Sequence, residues 1–413
     1  MKNKVLWISA SVPYDNVPHA GGKIHNFYLK YLKANSDCEI KLLTFYWKKE
    51  EESIDLDKYG IDYYAIERRI WAFPDILCNM ESVLNPWNRY AGINQNYTVI
   101  ELKKQLKKIS KEGYIPDVII LQWTEMVVLI DVVKEYFPNA SYIGIEEEVK
   151  YLGYQRRVSS AKSFLRKNIN SVRYKKLKQI EIKACSRCHK VIMNNPKDRK
   201  LLEEQGVDSS LLVEWQPYFD SFVDQSYIGD KKQIIYYGAM GRSENVEATL
   251  WLVKEVLPLI NDEEIEILII GANPTQEIKE LESDRVHVLG FVDSVCEYFT
   301  HGSCIAAPLK HGAGIKIKVL EAMSAGIPVL TTDVGIEGIP AKENEEYFRC
   351  VTPTEYAEAI NKLCSDYNLR KHISDNEKAF IKKRFNLSES GNSFIKLINQ
   401  LSHLKDIQYG KEE

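Results

Sequence analysis

Short apolar runs alternate with amphipathic helical stretches along the first half of the chain. Such alternation is typical of parallel β-sheets whose faces are covered by helices. The pattern therefore predicts a first α/β unit, with strands at residues 4–9, 39–45, 62–65, 118–122, 142–145 and 190–193.

A second series of strands follows a break in this pattern at residues 215–220. These strands are predicted at residues 233–237, 265–270, 286–289, 304–307 and 329–331. Near the C-terminus, apolar side chains recur at helical spacing over residues 388–404 and predict a closing helix. We therefore expect two Rossmann-like domains. One spans residues 1–218 and is completed by a C-terminal helix at 386–413, and the other spans residues 219–385.

Length and composition support this two-domain organisation. The chain has 413 residues and a mass of 47.7 kDa, which is more than a single hydrophobic core usually supports. Its 45% hydrophobic and 27% charged residues are typical of a globular protein, and the net charge of -3 argues against nucleic-acid binding. No stretch approaches the roughly 20 apolar residues of a membrane-spanning helix.

The start of the chain and its cysteines predict a cytoplasmic protein. The first apolar run ends by Pro13, which fits a buried strand better than a signal peptide. Eight cysteines are scattered instead of paired, as expected in a reducing compartment. Cys185, Cys188 and His189 match the CxxCH pattern of haem attachment, but no export signal or second ligand pair accompanies them. We therefore expect neither haem, metal nor another cofactor.

Residues 311–330 (HGAGIKIKVLEAMSAGIPVL) form the most informative stretch of the sequence. They predict a glycine-rich turn, a buried helix and a strand. Gly312 and Gly314 permit the backbone to approach an anion closely, and the N–H groups at the helix start favour negative charge. Lys316 and Lys318 bring cations to the same corner. The stretch therefore predicts a phosphate site.

Glu321 extends this prediction from a phosphate to a nucleotide diphosphate. It follows Lys318 by three residues on the predicted helix, which ends at Gly326, so the two side chains share a face. The carboxylate can accept hydrogen bonds from a ribose diol while the lysine neutralises the diphosphate. The alternative is an ordinary strand-to-helix turn with solvated lysines.

Two further groups are candidates for the same chemistry, which requires negative charge to be stabilised on a leaving diphosphate. Arg242 follows a glycine in the first turn of the second domain and would assist Lys318 and Lys316. A solvated arginine at a helix start is the alternative. Gly21 and Gly22 follow the first strand and would direct backbone N–H groups toward the diphosphate from the other domain.

Three consecutive glutamates, at residues 146–148, follow a predicted strand. In open α/β sheets, ligands bind beyond the carboxyl ends of the strands. Glu147 and Glu148 are therefore candidates to orient or deprotonate an acceptor hydroxyl. Acids solvated at the start of a helix, where the dipole favours them, are an equally weighted alternative.

Several segments of the second domain carry a recognisable pattern. They are residues 235–240 (IYYGAM) with Glu244 and Asn245, 288–293 (VLGFVD), 307–330, 331–338 (TTDVGIEG) and 355–360 (EYAEAI). Together they resemble the donor domain of a retaining GT-B glycosyltransferase close to family 4, among the glycosyl transferases of group 1. The resemblance covers essentially the whole second domain and is weaker in the first.

The resemblance implies an α/β fold of GT-B type, with two Rossmann-like domains facing each other across a cleft that holds the active site. It implies that Gly238 lies in the first turn of the donor domain, and that Phe291 and Val292 cup the nucleobase. The residues that it implies for diphosphate and ribose are Gly312, Ala313, Gly314, Ile315, Lys316, Lys318 and Glu321.

One position departs from the family pattern. In many members an acidic residue lies eight positions before the ribose-binding glutamate and contacts the donor sugar. Ala313 occupies that position here. Both a subfamily variation and a catalytically inactive relative are consistent with this change.

We therefore expect a hexosyltransferase that moves a sugar from a nucleotide diphosphate sugar to a glycan or a lipid-linked acceptor. The resemblance implies retention and a role in surface polysaccharide or glycolipid synthesis. Two alternatives stay open. One is a sugar-nucleotide 2-epimerase of the same architecture, although the expected histidine and paired carboxylates are not seen. The other is a non-catalytic glycosyltransferase-like subunit that binds a nucleotide or glycan.

A strongly basic segment predicts an anionic membrane surface as a further partner, on the inner face of the membrane. Its cations face few acids and are Arg156, Arg157, Lys162, Arg166, Lys167, Arg173, Lys175, Lys176, Lys178 and Lys183. The aromatic residues expected at the lipid interface are Trp71, Phe73, Trp87 and Phe164. A solvated helix face is the alternative.

Overall fold

The computed structural model describes residues 2–17, 19–68, 90, 92–94, 96–159, 163–311 and 315–409. The chain divides into two compact units. Unit 1 contains Met1–Gln216 and Ser388–Glu413, and unit 2 contains Pro217–Leu387. Some residues named above lie outside the described part of the chain, namely Trp71, Phe73, Trp87, Lys162, Gly312, Ala313 and Gly314.

Unit 1 is built on a seven-stranded parallel sheet. Its strands are β1 (Lys4–Ser9), β2 (Glu39–Tyr46), β3 (Asp62–Glu67), β4 (Val118–Gln122), β5 (Ser141–Glu146), β6 (Lys190–Met193) and β7 (Leu212–Glu214). They lie in the order β3-β2-β1-β4-β5-β6-β7, and each neighbouring pair is parallel. The strand order reverses between β1 and β4, which is where open α/β sheets collect ligands at their carboxyl ends.

Helices cover this sheet. They are α1 (Ala20–Asn35), α2 (Asn96–Lys111), α3 (Thr124–Val127), α4 (Ile130–Lys134), α5 (Lys150–Ser159), α6 (Phe164–Cys185) and α7 (Pro196–Glu204), with 3₁₀ segments at Lys48–Ser53, Leu56–Tyr59 and Ser209–Leu211. Every residue of β4 and β5 is buried. Both faces of the sheet are therefore covered at its centre, as expected for parallel strands that read as continuous apolar runs.

Unit 2 is built on a six-stranded parallel sheet, in the order β10-β9-β8-β11-β12-β13. Its strands are β8 (Gln233–Tyr237), β9 (Glu266–Ile270), β10 (Val286–Gly290), β11 (Cys304–Ala307), β12 (Val329–Thr331) and β13 (Phe348–Arg349). Its helices are α8 (Ser243–Trp251), α9 (Gln276–Lys279), α10 (Cys296–His301), α11 (Ile317–Ala325), α12 (Pro353–Ser365) and α13 (Tyr367–Arg384). A π-helical turn at Leu252–Val256 and a 3₁₀ turn at Leu257–Leu259 extend α8.

The last helix, α14 (Leu387–Tyr409), returns to unit 1. Phe394 packs edge-to-face on Trp215, with ring centroids 4.5 Å apart, and on Trp7 at 5.7 Å. Tyr28 stacks on Trp215 at 3.5 Å, and its hydroxyl lies 2.5 Å from Ser390 Oγ. Because these aromatic side chains bury much apolar area, the closing helix folds with unit 1.

The predicted parallel α/β architecture is confirmed in both units. Each of the eleven predicted strands is present. The analysis missed β7 and β13, which have three and two residues and are too short to produce an alternating pattern. The helix predicted after the glycine-rich turn ends where expected, because Gly326 adopts a left-handed conformation with φ of 76° as its C-cap.

Candidate functional site

Polar side chains gather at the carboxyl end of β8 in unit 2. We call Tyr236, Gly238, Asn245 and Lys318 the lysine cluster. Gly238 directly follows β8, and its N–H donates to the last carbonyl of β9 at 3.0 Å. Asn245 lies in the first turn of α8 and Lys318 in the first turn of α11. The topology therefore brings together residues that are up to 82 positions apart in the sequence.

Glycines make this close approach possible. A Cβ on Gly238 would lie 3.0 Å from Asn245 Nδ2 and 3.2 Å from Lys318 Nζ. Gly271 follows β9 and is more restricted, since a Cβ there would lie 1.6 Å from the carbonyl oxygen of Gly238. Its φ of 149° also suits glycine alone. Neither position accepts a side chain without displacing its neighbours.

Asn245 holds the lysine cluster together. Its Nδ2 donates to the carbonyl of Ala239 at 2.9 Å, which fixes the loop after β8. Its Oδ1 accepts from Lys318 Nζ at 2.9 Å and from the Tyr236 hydroxyl at 3.2 Å. A single buried carboxamide thus positions both the loop and the cation.

Lys318 is held by neutral partners. Besides the amide oxygen of Asn245, its ammonium contacts the face of the Tyr236 ring, 4.9 Å from the centroid. No carboxylate within the described ranges forms an ion pair with it. The positive charge of Lys318 is therefore left without a counter-ion in this part of the structure.

These surroundings lower the pKa of Lys318 to about 7, from an ordinary value of 10.5. Burial is the largest cause, because it disfavours the charged form. The charges of Lys316 and Arg242 act in the same direction, and Glu244 opposes them. An anion bound here would reverse the shift, since it would favour the ammonium over the neutral amine.

The other predicted residues of the donor site lie around this cluster. Arg242 is the N-cap of α8, and its exposed side chain forms an ion pair with Glu244 at 2.6 Å. Lys316 is the N-cap of α11. Glu321 is buried one turn further along α11, close enough that its charge adds to burial in raising the pKa of Tyr237. The arginine thus lies beside the lysine cluster and does not share its hydrogen bonds.

Three apolar residues predicted for the donor site lie at the surface of unit 2 or at the edge of its core. Phe291 has 72% of its surface exposed, directly after β10. Val292 and Ile315 are partly buried against the core of unit 2. The exposed aromatic ring is thus available for stacking, whereas the two aliphatic side chains serve the core.

A second polar group forms in unit 1, at the carboxyl ends of three neighbouring strands. We call Gln122, Trp123, Glu147 and Asn194 the glutamate cluster. Gln122 ends β4, and Glu147 and Asn194 directly follow β5 and β6. Gln122 Nε2 donates to Glu147 Oε1 at 2.7 Å, and Asn194 Nδ2 donates to Glu147 Oε2 at 2.6 Å. Two amides therefore fix the carboxyl group in one orientation.

Burial raises the pKa of Glu147 to about 8, from an ordinary 4.5. The hydrogen bonds from Asn194 and Gln122 favour the carboxylate and oppose this shift, while the charge of Glu148 adds to it. The group therefore titrates near neutral pH. Such a carboxyl group can exchange a proton with a ligand hydroxyl.

Trp123 and Gly21 complete the surroundings of Glu147. Trp123 has φ of 70°, which is rare for a bulky residue, and costs on the order of 1 kcal/mol. Its ring meets the ring of His25 edge-on at 5.3 Å. A Cβ on Gly21 would lie 3.0 Å from Trp123 Nε1 and 3.5 Å from Glu147 Cγ. The glycine after β1 thus lies against the glutamate cluster, and its predicted role toward a diphosphate stays a prediction.

Glu146 and Glu148, the neighbours of Glu147 in the chain, have different environments. Glu146 ends β5, is fully buried and accepts a hydrogen bond from the Thr124 hydroxyl. Burial raises its pKa well above the ordinary value. Glu148 is exposed and lies 3.6 Å from Lys150 Nζ, outside the glutamate cluster. The alternative of solvated acids at a helix start is therefore wrong for Glu146, because the strand places it inside the core.

Gly22 has a role that the sequence did not reveal. Its N–H donates to His19 Nδ1 at 2.9 Å, so the histidine caps α1. A Cβ on Gly22 would lie 2.6 Å from Val17 Cγ2. The amide that was expected to face a diphosphate is thus occupied by the cap, which corrects that prediction for Gly22.

The CxxCH cysteines lie in the core of unit 1. Burial raises the pKa of both thiols, and Cys185 Sγ donates to Glu146 Oε1 at 3.7 Å. Cys188 Sγ donates to the Ala184 carbonyl at 3.5 Å. In the part of the chain that the structure describes, no group of three or more His, Cys, Asp and Glu residues is arranged to hold a metal ion.

A comparison with protein families relates unit 2 to known proteins. Residues 231–366 match the model of the family described as "Glycosyl transferases group 1". The matched stretch contains every residue of the lysine cluster. The resemblance to glycosyltransferases is therefore confirmed, whereas the assignment to family 4 and the retaining mechanism stay predictions.

Solved structures identify the fold of the whole chain. Anabaena Alr3699/HepE in complex with UDP is 12% identical, with a TM-score of 0.66 over 97% of this chain and 100% of that one. Sucrose-phosphate synthase from Thermosynechococcus elongatus is 15% identical, with a TM-score of 0.68 over 97% of this chain and 99% of that one. The fold class is therefore that of the GT-B glycosyltransferases, as predicted.

A curated relative covers less of the chain. The "Uncharacterized 44.6 kDa protein in cps region" of Klebsiella pneumoniae is 23% identical over 174 residues, which are 40% of this chain and 45% of that protein. The chain thus spans about half the length of the curated relatives that it matches.

Sequence reasoning missed three residues that shape the surroundings of Glu147 and Lys318. Gln122 and Asn194 were not singled out, although each lies at the carboxyl end of a predicted strand. Gly271 was not singled out either, although it directly follows β9. A search for polar or glycine residues at every strand end would have found all three.

Proposed function

We propose that the protein is a glycosyltransferase that uses a nucleotide diphosphate sugar as donor, with the lysine cluster binding the diphosphate. The observation that supports this most directly is the state of Lys318. Its ammonium is partly withdrawn from water, faces other cations and is held by an amide and an aromatic ring. A diphosphate supplies the negative charge that this arrangement lacks.

The reaction breaks the bond between the anomeric carbon and the β-phosphate oxygen and forms a bond from an acceptor hydroxyl oxygen to the same carbon. The proton of that hydroxyl passes to the leaving diphosphate. Negative charge develops on the leaving diphosphate, and a preorganised cation stabilises it most when water is excluded. Lys318 supplies this cation, with Lys316 and Arg242 close by. We further propose that the transferred group is a hexose and that its configuration is retained.

Uridine nucleotides are the first donors to test. The HepE structures contain UDP and UDP-glucose. In this chain, buried Glu321 would accept the ribose hydroxyls, and exposed Phe291 would stack on the base. Both proposals follow from the resemblance and from the positions of these side chains in unit 2.

Glu147 is our candidate for the acceptor hydroxyl. Its carboxyl group is fixed by two amides, and its pKa near 8 suits a group that shares a proton with an alcohol at neutral pH. Exposed Glu148 lies outside this pair of amides, beside Lys150, and is a weaker candidate. The acceptor would be a glycan or a lipid-linked sugar in surface polysaccharide or glycolipid synthesis, which the cps-region relative supports.

Calorimetric titration of the full chain with uridine, guanosine and adenosine diphosphate sugars tests the donor site. We expect one nucleotide class to bind, and Lys318→Met to weaken it by about 10- to 100-fold, the loss of one charge-assisted contact. Lys279→Met is the matched control, because Lys279 is exposed on unit 2 away from the cluster. The Lys279→Met variant should bind the nucleotide sugar as tightly as the wild type does.

Two results would count against the proposal. If no nucleotide sugar binds the wild type, the lysine cluster is not a donor site. If a nucleotide sugar binds but is neither hydrolysed nor transferred to any acceptor, the chain is a binding subunit instead of an enzyme. Slow hydrolysis of the bound donor, reduced in Lys318→Met, would support catalysis.

A further inference from the structure

The helices α5 and α6 of unit 1 form a pair with an unusual charge. Between residues 150 and 180 the chain carries ten Lys and Arg residues and no Asp or Glu. The chain as a whole has a net charge of -3, so positive charge is concentrated in this segment. Clusters of four to eight basic residues on a helix are typical of contacts with anionic lipid.

The two helices are held together at several points. Asn170 Nδ2 donates to the Arg157 carbonyl at 3.4 Å. The rings of Tyr151 and Tyr174 meet edge-on at 6.0 Å. At the far end, Glu181 of α6 accepts from the first N–H group of α5 at 2.8 Å. The pair is therefore anchored at its base by polar and aromatic contacts.

The opposite end of the pair carries exposed apolar side chains beside its cations. We call Arg156, Arg157, Phe164, Leu165, Arg166 and Lys167 the hairpin tip. Phe164 is 81% exposed and its neighbour Leu165 is 68% exposed. The four cations of the tip are also exposed. The hairpin tip thus combines exposed apolar and positive groups.

We propose that the hairpin tip docks on an anionic lipid surface. Phe164 and Leu165 would insert among the acyl chains at the interface, while the four cations contact lipid phosphates. A solvated helix face would explain the cations but not two large apolar side chains exposed next to them. A soluble polyanion would likewise leave Phe164 and Leu165 without a role.

In the described ranges, no helix is both long and apolar enough to cross a bilayer. A lipid-linked acceptor lies in the membrane plane, so surface docking would bring unit 1 to it. The role of docking in reaching a lipid-linked acceptor rests on the proposed function. Docking itself does not, because it requires no nucleotide.

Cosedimentation of the full chain with lipid vesicles tests the proposal. Vesicles of phosphatidylcholine alone are compared with vesicles that also contain phosphatidylglycerol, at low and at high salt. We expect binding only with phosphatidylglycerol, and weaker binding at high salt. Arg166→Gln with Lys167→Gln should lower the partition coefficient about tenfold or more, and Phe164→Ser with Leu165→Ser should lower it by a similar factor.

Matched controls come from α2 of unit 1 and from the loop that follows it. Ile100→Ser with Ile115→Ser removes two exposed apolar side chains, and Lys107→Gln with Lys111→Gln removes two exposed cations, all outside the tip. Neither control should change vesicle binding. Circular dichroism and thermal melting of each variant establish that it is folded.

Three outcomes would overturn the proposal. One is equal binding to vesicles with and without phosphatidylglycerol. Another is a full loss of binding in a control pair. The third is loss in the basic pair without any loss in the apolar pair, which would assign the tip to soluble polyanions. Nucleotide titration of the same variants separates this result from a failure of the donor site, since the tip lies in unit 1 and the lysine cluster in unit 2.

Discussion

The two units place an ionisable side chain at the carboxyl edge of the same kind of parallel sheet, but with opposite charge. In unit 1 the side chain is Glu147, and in unit 2 it is Lys318. Burial raises the pKa of the glutamate to about 8 and lowers that of the lysine to about 7. Both groups therefore titrate near neutral pH, although their ordinary pKa values differ by six units.

The difference between the two clusters lies in the partners. Two amide donors, from Gln122 and Asn194, oppose the shift at Glu147, so the cluster can hold the charged carboxylate above its pKa. Around Lys318 the charges of Lys316 and Arg242 reinforce the shift, and the charge of Glu244 opposes it. Glu147 thus has two hydrogen-bond donors that favour its charged form, whereas the ammonium of Lys318 has no carboxylate partner among the described residues. This contrast is why we assign the diphosphate to unit 2.

The largest expected effect concerns the backbone that shapes the lysine cluster. Gly271→Ala should lower the free energy of unfolding by about 4 kcal/mol, because the new Cβ would overlap the Gly238 carbonyl and φ there suits glycine alone. Thermal unfolding measures this. Gly153→Ala in α5 is the control, since a Cβ there meets nothing within 4 Å and should be neutral or stabilising. Equal stability of both variants would contradict the close packing of the two strand ends.

The next effect tests the pKa of Glu147. Its folded pKa of about 8 exceeds the ordinary 4.5, so the folded chain binds more protons between these values, and stability falls as pH rises through that window. Glu147→Gln should remove this slope and stabilise the protein at pH above 8 by on the order of 2 kcal/mol. Denaturant unfolding across this pH range measures it. Exposed Glu148→Gln should leave the slope unchanged, and an identical slope in Glu147→Gln would show that the carboxyl group is solvated.

The lysine should show the opposite slope. Because its folded pKa of about 7 lies below the ordinary 10.5, stability falls as pH is lowered through this range. Lys318→Met should therefore stabilise the ligand-free chain at pH 6 by on the order of 2 kcal/mol while nucleotide affinity is lost. Unfolding with and without nucleotide measures both effects. A destabilised Lys318→Met at pH 6 would mean that the charge is already compensated.

The smallest effect concerns nucleotide binding itself. If the diphosphate requires the ammonium, binding above pH 7 must take up a proton. The affinity should then fall up to about tenfold for each pH unit above 7, until the pKa of Lys318 in the complex is reached. Calorimetry in two buffers of different ionisation enthalpy counts the protons. Binding that is independent of pH from 7 to 9 would remove Lys318 from direct contact with the diphosphate.

Much of unit 2 could be predicted from the sequence because its sequence signals are local. Apolar runs marked the strands, and Gly326 marked the end of α11. Residues 311–330 also indicated a cation near a phosphate, because glycine, lysine and glutamate lie within a few positions of one another. The lysine cluster itself includes Asn245 and Tyr236, which approach Lys318 only through the order of the strands.

Unit 1 was less predictable because its glutamate cluster joins residues far apart in the chain. Three glutamates in a row gave one signal, but their side chains have three different environments. The strand ends at Glu146, so alternation places that side chain in the core and the next one among the amides. Gly22 illustrates the same limit, since its N–H donates to His19, which caps α1.

By itself, the sequence determined the parallel α/β architecture and the resemblance of the second half to glycosyltransferases, because hydrophobic periodicity and short motifs act over a few residues. Only the tertiary structure decided which ionisable groups have shifted pKa values. A pKa depends on burial and on charges within several ångströms, and these neighbours are brought together by strand order. Glu147 and Glu148 are adjacent in the chain, yet only the fold buries one among amides and leaves the other in solvent.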